Sequence, residues 1–194
     1  MRLGNFTLQI VGGRELGNGQ VELSHGQTYK IRMRNHFPRR ADCELTVDGE
    51  QVGCFRLSAH QAMTIDRPAD KARLLTFFKL GTAEAAQGGI VDDENVGLVT
   101  AVFYPEIERQ PIYRGELVSK GIPMASAASG PSLSAGGTAL TGRSNQQFTN
   151  VGGIVRDYAH RTTIHLRLVC RDDVPAIEPL GSKVAMSTAV PPRV

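Results

Sequence analysis

The sequence predicts an all-β protein, an antiparallel jelly-roll-like β-sandwich with a long internal low-complexity arm and an extended C-terminal tail. Three observations carry that expectation. Apolar and polar residues alternate with period two in one segment after another, as half-buried strands require. Turn-forming residues recur about every ten positions, the spacing of sandwiches and barrels. Only "GTAEAAQGG" reads as helix, with Thr82 as its cap and Gly88 as its stop, and it is too short to cover a sheet. Without a helical layer, two packed antiparallel sheets are the simplest way to bury the apolar faces. The 194 residues suit a single domain with its own core. It divides into a sandwich body over 1–118, an arm over 119–145, a returning hairpin over 146–172 and a tail over 173–194.

Taken in order, "FTLQIVG" and "GQVELSHG" are the first strands. "TYKIRMRN" follows, with Tyr29, Ile31 and Met33 on one face and Lys30, Arg32 and Arg34 on the other. In "CELTVDGEQVGCF" the Asp48-Gly49 pair between two alternating runs signals a tight hairpin. Counting outward from a two-residue turn sets Val47 opposite Glu50, Leu45 opposite Val52 and Cys43 opposite Cys54. Both cysteines then fall on the apolar face, where buried thiols are favoured over a bridge, with a bulge expected at Gly53 and the phase slipping after Cys54, where Phe55 and Leu57 take the apolar role. "AMTIDRP", "RLLTFFKL", "VGLVTAVFYP" and "IYRGELV" continue the series, each bounded by Gly, Pro, Asn or Asp or by the start of the arm. Residues 119–145, rich in Ser, Ala, Gly, Pro and Thr, lack periodicity and read as an excursion between strands. "QQFTNVGGIVRDY" and "TTIHLRLVC" then read as a closing hairpin, with Ile164, Leu166 and Leu168 inward and His165 and Arg167 outward. The tail carries four prolines beside scattered apolar residues and favours extended conformations.

Composition narrows the functional classes. A formal net charge of +3 is too small for bulk electrostatics to drive binding to nucleic acid or an anionic membrane. No apolar run approaches the length of a membrane span. The start, "MRLGNFTLQIVGG", does not read as a secretory signal, so the sequon Asn5-Phe6-Thr7 is not expected to be glycosylated. Three cysteines without CxxC spacing argue against a zinc site or a disulfide scaffold and for a reducing compartment.

No catalytic constellation emerges, and no cofactor or metal is expected. The glycines of "VGGRELGNGQ" have neither dinucleotide nor P-loop spacing. His25, His36, His60, His160 and His165 never stand at ligand spacing. Ser58 near His60 lacks an elbow motif, and "VDDEN" lacks the spaced oxygens of a calcium loop. The basic row Lys30, Arg32 and Arg34, extended by Arg39 and Arg40 in "NHFPRR", has two readings. It is either a solvated face that discourages edge pairing or a contact for phosphates or an acidic protein surface. No aromatics interleave it, as a single-stranded nucleic-acid platform requires.

Together "VELSHGQTYKIRMRN", "CELTVDGEQVGCFRL", "TIDRPAD", "RLLTFFKLGTAEA", "GLVTAVFYPE", "TALTGRSNQQF" and "TIHLRLV" resemble a β-sandwich family found among virion proteins of tailed bacteriophages and some large viruses. The resemblance covers roughly residues 20–107 and 137–170 and carries over no catalytic residue. It implies a non-enzymatic capsid decoration or cement protein on the capsid exterior, assembled in the host cytoplasm. The partners it implies are the major capsid protein and copies of itself in a homo-oligomer, with a trimer suiting local threefold positions. On that reading the contacts are Met124, Leu133 and Leu140 in the arm, Ile177 and Leu180 in the tail, and Arg32, Arg34, Arg39 and Arg40 as anchors to an acidic surface. Two rivals stand beside it. One is a sandwich that recognises a carbohydrate or host surface, which the lack of Trp disfavours. The other is an enzyme assembled from distant loops around His60, Asp66 and Glu94.

Overall fold

The computed structural model describes residues 1–107 and 133–171. The described strands are β1 (Arg2–Leu3), β2 (Phe6–Val11), β3 (Arg14–Glu15), β4 (Gln20–Leu23), β5 (Gln27–Thr28), β6 (Lys30–Asn35), β7 (Ala41–Val47) and β8 (Glu50–Leu57). They continue with β9 (Ala62–Ile65), β10 (Leu74–Lys79), β11 (Leu98–Pro105), β12 (Leu133–Thr141) and β13 (Thr162–Arg171), and α1 (Ala83–Gln87) precedes β11. One sheet has the order β1-β2-β6-β9. The other has the order β5-β10-β12-β13-β11-β7-β8, with β4 joined to β13 and β3 to β4.

One apolar core joins the two sheets. Phe6, Leu8, Ile31 and Met33 from the first meet Leu45, Phe77, Phe103 and Leu168 from the second in a single buried cluster. The rings of Phe6 and Phe103 stack across the gap with centroids 4.5 Å apart. The protein is thus all-β and sandwich-like, as period two predicts. The short helix also forms where expected: Thr82 accepts from the Ala85 N–H, and Gly88 is its C-terminal cap.

Several expectations need correction. The arm over 119–145 is a strand over Leu133–Thr141, paired with both β10 and β13. Its small residues serve close packing: a Cβ on Gly136 would lie 2.3 Å from the Phe77 ring, and one on Gly137 would lie 2.5 Å from Ile90. Leu140, expected to touch a partner, packs half-buried against this protein's own core, and half-buried Leu133 pairs with Arg171. "QQFTNVGGIVRDY" is not a strand; it contributes one bridge, Glu106 to Arg156. β13 instead pairs antiparallel with β11 and β12 and parallel with β4, so the purely antiparallel expectation fails at that pair. The strand expected at "IYRGELV", the arm's residues 119–132, the 118/119 boundary, and the tail over 173–194 lie outside the described residues.

The β7–β8 register is also corrected. Val47 faces Glu50 as expected, but a bulge between Leu45 and Thr46 shifts the ladder, so Leu45 faces Gly53 and Cys43 faces Phe55. The phase therefore slips before Cys54, not after it. Cys43 and Cys170 are buried and Cys54 is exposed.

Candidate functional site

The period-two pattern of β6 buries Ile31, Met33 and Asn35 and turns Lys30, Arg32 and Arg34 to solvent. The flanking strands then decide the character of that face. Gln9 on β2 and Thr64 on β9 stand beside Arg32; Thr7 and Ala62 stand beside Arg34; Val11 stands beside Lys30. None of these neighbours is a carboxylate. Among the described residues Lys30, Arg32 and Arg34 take part in no ion pair. β1 adds Arg2, paired in register with Thr7, and its guanidinium donates to the Gly4 carbonyl at 3.2 Å.

His36 stands at the edge of this face, its Nε2 2.9 Å from Thr7 Oγ1. Its pKa lies below the ordinary histidine value, through desolvation first and then through the charges of Arg2, Arg34 and His60. The imidazole therefore stays neutral where an isolated one begins to charge, as a cationic field requires.

Arg39 and Arg40 do not belong to the row. Buried Asn35 closes the turn after β6 by donating to the Arg39 and Ser58 carbonyls, at 2.7 and 3.0 Å, and by accepting from the Phe37 N–H at 2.8 Å. That turn aims both arginines at the end of β11. Arg39 lies over the Phe37 ring and donates to the Glu106 carbonyl at 3.1 Å. Arg40 makes a two-pronged bond to the Glu106 carboxylate at 2.8 and 2.5 Å, which raises its pKa. Of the four arginines proposed as anchors, Arg32 and Arg34 share the open face while Arg39 and Arg40 tie a loop to β11. Met124, Ile177 and Leu180 lie outside the described residues.

A second charged cluster, invisible in the sequence, lies on the side of β7, β8 and β11 away from the core. Arg156 donates to Asp42 at 2.9 Å, to Glu44 at 2.5 Å and to Cys54 Sγ at 3.0 Å. Burial works against its charge, but the bonds to Asp42 and Glu44 outweigh it and raise its pKa. Arg56 donates to the other oxygen of Asp42 and to the Gly152 carbonyl. Tyr104 donates to Glu44, and the Arg156 guanidinium lies 5.0 Å from its ring centre. Two carboxylates and two guanidiniums thus satisfy one another and fasten the 152–156 stretch to the sheet. Burial raises the Cys54 thiol pKa, which makes it a weak nucleophile.

Asp48 is the third charged feature. It opens the β7–β8 turn with φ 52°, followed by Gly49 with φ 78°, the left-handed pair that tight hairpins need. Its carboxylate accepts from the Gly97 N–H at 2.6 Å and from the Thr138 N–H at 2.5 Å, so the turn is stitched to β11 and β12. Burial pushes its pKa up to about 6, and the two backbone bonds oppose that rise.

The residues of the enzymatic rival have separate local engagements. Asp66 accepts from Ser144 Oγ at 2.7 Å, the Glu94 carbonyl accepts from Arg167, and the His60 N–H donates to the Phe37 carbonyl. Among the described residues no group of three or more His, Cys, Asp or Glu side chains is placed to hold a metal, and no helix is long and apolar enough to cross a membrane. Comparison with family models, curated proteins and solved structures finds no match to the chain.

Proposed function

We propose that the protein is a non-enzymatic structural virion protein, a capsid decoration or cement protein that stabilises a viral head by gripping neighbouring capsid subunits. The observation that carries this reading is the row Lys30, Arg32 and Arg34, exposed on one sheet face with no carboxylate beside it among the described residues. Unpaired cations of one sign favour an acidic partner and steer its approach. Their backbones belong to a packed strand, so docking orders side chains only and loses little entropy. The partner on this reading is the acidic outer surface of the major capsid protein, met by a homo-oligomer of this chain, with trimers at local threefold positions. The jelly-roll-like connectivity and the reach of an arm and tail belong to the same proposal.

Co-sedimentation with the capsids of the virus that encodes the protein tests it. The parent chain is expected to pellet with capsids at low ionic strength and to be released as salt rises. Arg32→Glu/Arg34→Glu is expected to lose at least about tenfold in affinity, which corresponds to about 1.4 kcal/mol. A parent chain that stays in the supernatant at low salt overturns the reading, and retention on a glycan array instead favours the carbohydrate-binding rival.

A further inference from the structure

At one end of the four-stranded sheet, donors from three strands and two turns converge. Arg2 on β1 and Arg34 on β6 stand on either side of Thr7 on β2 in one register. Residues directly opposite on neighbouring strands share a face, so both guanidiniums rise beside the Thr7 hydroxyl from backbones about 10 Å apart. His36 is fixed at the same corner, its N–H on the Asn5 carbonyl at 2.8 Å and its Nε2 2.9 Å from Thr7 Oγ1. The 58–61 turn closes the corner: His60, with φ 57°, donates its N–H to the Phe37 carbonyl at 3.2 Å. After desolvation, the charges of Arg2, Arg34 and His60 hold the His36 pKa below its ordinary value, so all three bear on its ring. Arg2, Arg34 and His60 are exposed, and Thr7 and His36 are half-buried. Arg2 donates to Gly4 through Nε, which leaves the terminal nitrogens of its fork out of that bond. Among the described residues none of Arg2, Arg34, His36 and His60 is paired with a carboxylate.

We propose that this corner binds a dianionic phosphomonoester group, carried by a small metabolite or by a phosphorylated side chain. Each property of that ligand follows from a part of the corner. Guanidinium forks suit carboxylate and phosphate alike. A phosphomonoester, however, presents three terminal oxygens to donors arriving from several sides, where a carboxylate presents two in one plane. Arg2, Arg34, Thr7 and His36 arrive in that way. The second negative charge favours the imidazolium form of His36, which the surrounding cations disfavour in the free protein, so binding takes up a proton. A phosphodiester carries a single charge and two unesterified oxygens, and it gains less from the same donors. The site shares Arg34 with the Lys30, Arg32 and Arg34 row, but Arg2, Thr7 and His36 lie outside that row. It stands whether or not the row meets a capsid, and the isolated chain tests it without one.

The test is an amide-resolved NMR titration of the full chain at low ionic strength with inorganic phosphate, a capped phosphoserine peptide, sulfate and dimethyl phosphate. At about pH 7.5 the first three are expected to shift the amides of Thr7, Arg34 and His36 and to bind at least about fivefold more tightly than dimethyl phosphate. Tighter binding of the peptide supports a phosphorylated side chain as the source, and tighter binding of inorganic phosphate supports a small metabolite. Arg2→Ala is expected to weaken binding at least about fivefold. Lys30→Ala removes the same charge about 13 Å along β6 from Arg34 and is expected to change binding less than about twofold. Sulfate keeps its charge through the histidine range, so the pH dependence of its affinity belongs to the protein. That affinity is expected to be at least about threefold higher at about pH 5.5 than at about pH 7.5, and His36→Gln is expected to remove the rise. Absence of saturable shifts, equal binding of dimethyl phosphate, equal losses from Arg2→Ala and Lys30→Ala, or a rise that survives His36→Gln overturns the proposal.

Discussion

Arginines on the two sheets stand in opposite conditions. On the four-stranded sheet Arg32 and Arg34 are exposed, and the adjacent strands offer them Thr7, Gln9, Ala62 and Thr64. On the larger sheet Arg56 lies directly across from Asp42, and Arg156 arrives from a distant segment to share that carboxylate. Asp42 is 5% exposed. The first pair is available to a partner, whereas the second is consumed by the fold. An arginine's role thus follows from what the neighbouring strand places opposite it, since an exposed charge contributes little to stability and a buried one demands its partner.

The strongest way to break this contrast is Arg156→Ala. It leaves Asp42 with Arg56 alone, strips a partner from Glu44 and releases one of the ties on the 152–156 stretch. Removing one partner of a buried pair costs about 3 kcal/mol, visible as a lower denaturation midpoint in urea. Faster amide exchange at Ile107 and Asp157, whose N–H groups bond across this stretch, is expected with it.

Asp48 sharpens the contrast, being a largely buried charge held by backbone N–H groups instead of an arginine. Asp48→Ala leaves the Gly97 and Thr138 N–H groups without their acceptor and is expected to destabilise the fold by about 2 kcal/mol. The pH dependence runs against the usual carboxylate pattern. Its folded pKa of about 6 lies above the ordinary 3.8, so between these values the native state keeps a proton that the unfolded chain has released. The contribution of Asp48 to stability is therefore greatest below about 3.8 and declines as pH rises through about 6. Urea midpoints of the parent and Asp48→Asn measured across that window check the sign: the parent's midpoint should fall relative to the variant's as pH rises.

Arg32→Ala and Arg34→Ala probe the other side. Each is expected to change stability by less than about 0.5 kcal/mol in the same urea assay. A larger loss in either would mean that the row is held by contacts of its own and would remove the contrast.

The smallest effect is a labelling pattern. In the native protein a thiol reagent at alkaline pH is expected to modify Cys54 alone, slowly because burial raises its pKa, with Cys43 and Cys170 reacting only after unfolding. Mass spectrometry of the intact chain reads one adduct before urea and three after.

Much of the fold was legible in the sequence. Lys30, Arg32 and Arg34 had to share a face, because residues two apart on a strand point the same way. The Asp48-Gly49 turn and the Thr82 cap are equally local. The candidate site was legible by half: the row stands on an open face, but Arg39 and Arg40 are spent on Glu106, which lies 66 residues beyond Arg40. No local pattern announces that pairing.

Local geometry and distant contact thus divide what this protein is. By itself the sequence determined the all-β class, the inward and outward sides of most strands and the hairpin at Asp48, since backbone periodicity and turn chemistry act over a few residues. Only the tertiary structure decided which strands are neighbours, and with that which charges are matched. It turned a run of small residues into β12, because Gly136 must pass against the Phe77 ring. It set Cys54 outward through a bulge whose position depends on the partner strand. And it brought Arg156 to Asp42 across 114 residues of chain, a contact that exists only once the sheet and the returning segment have packed together.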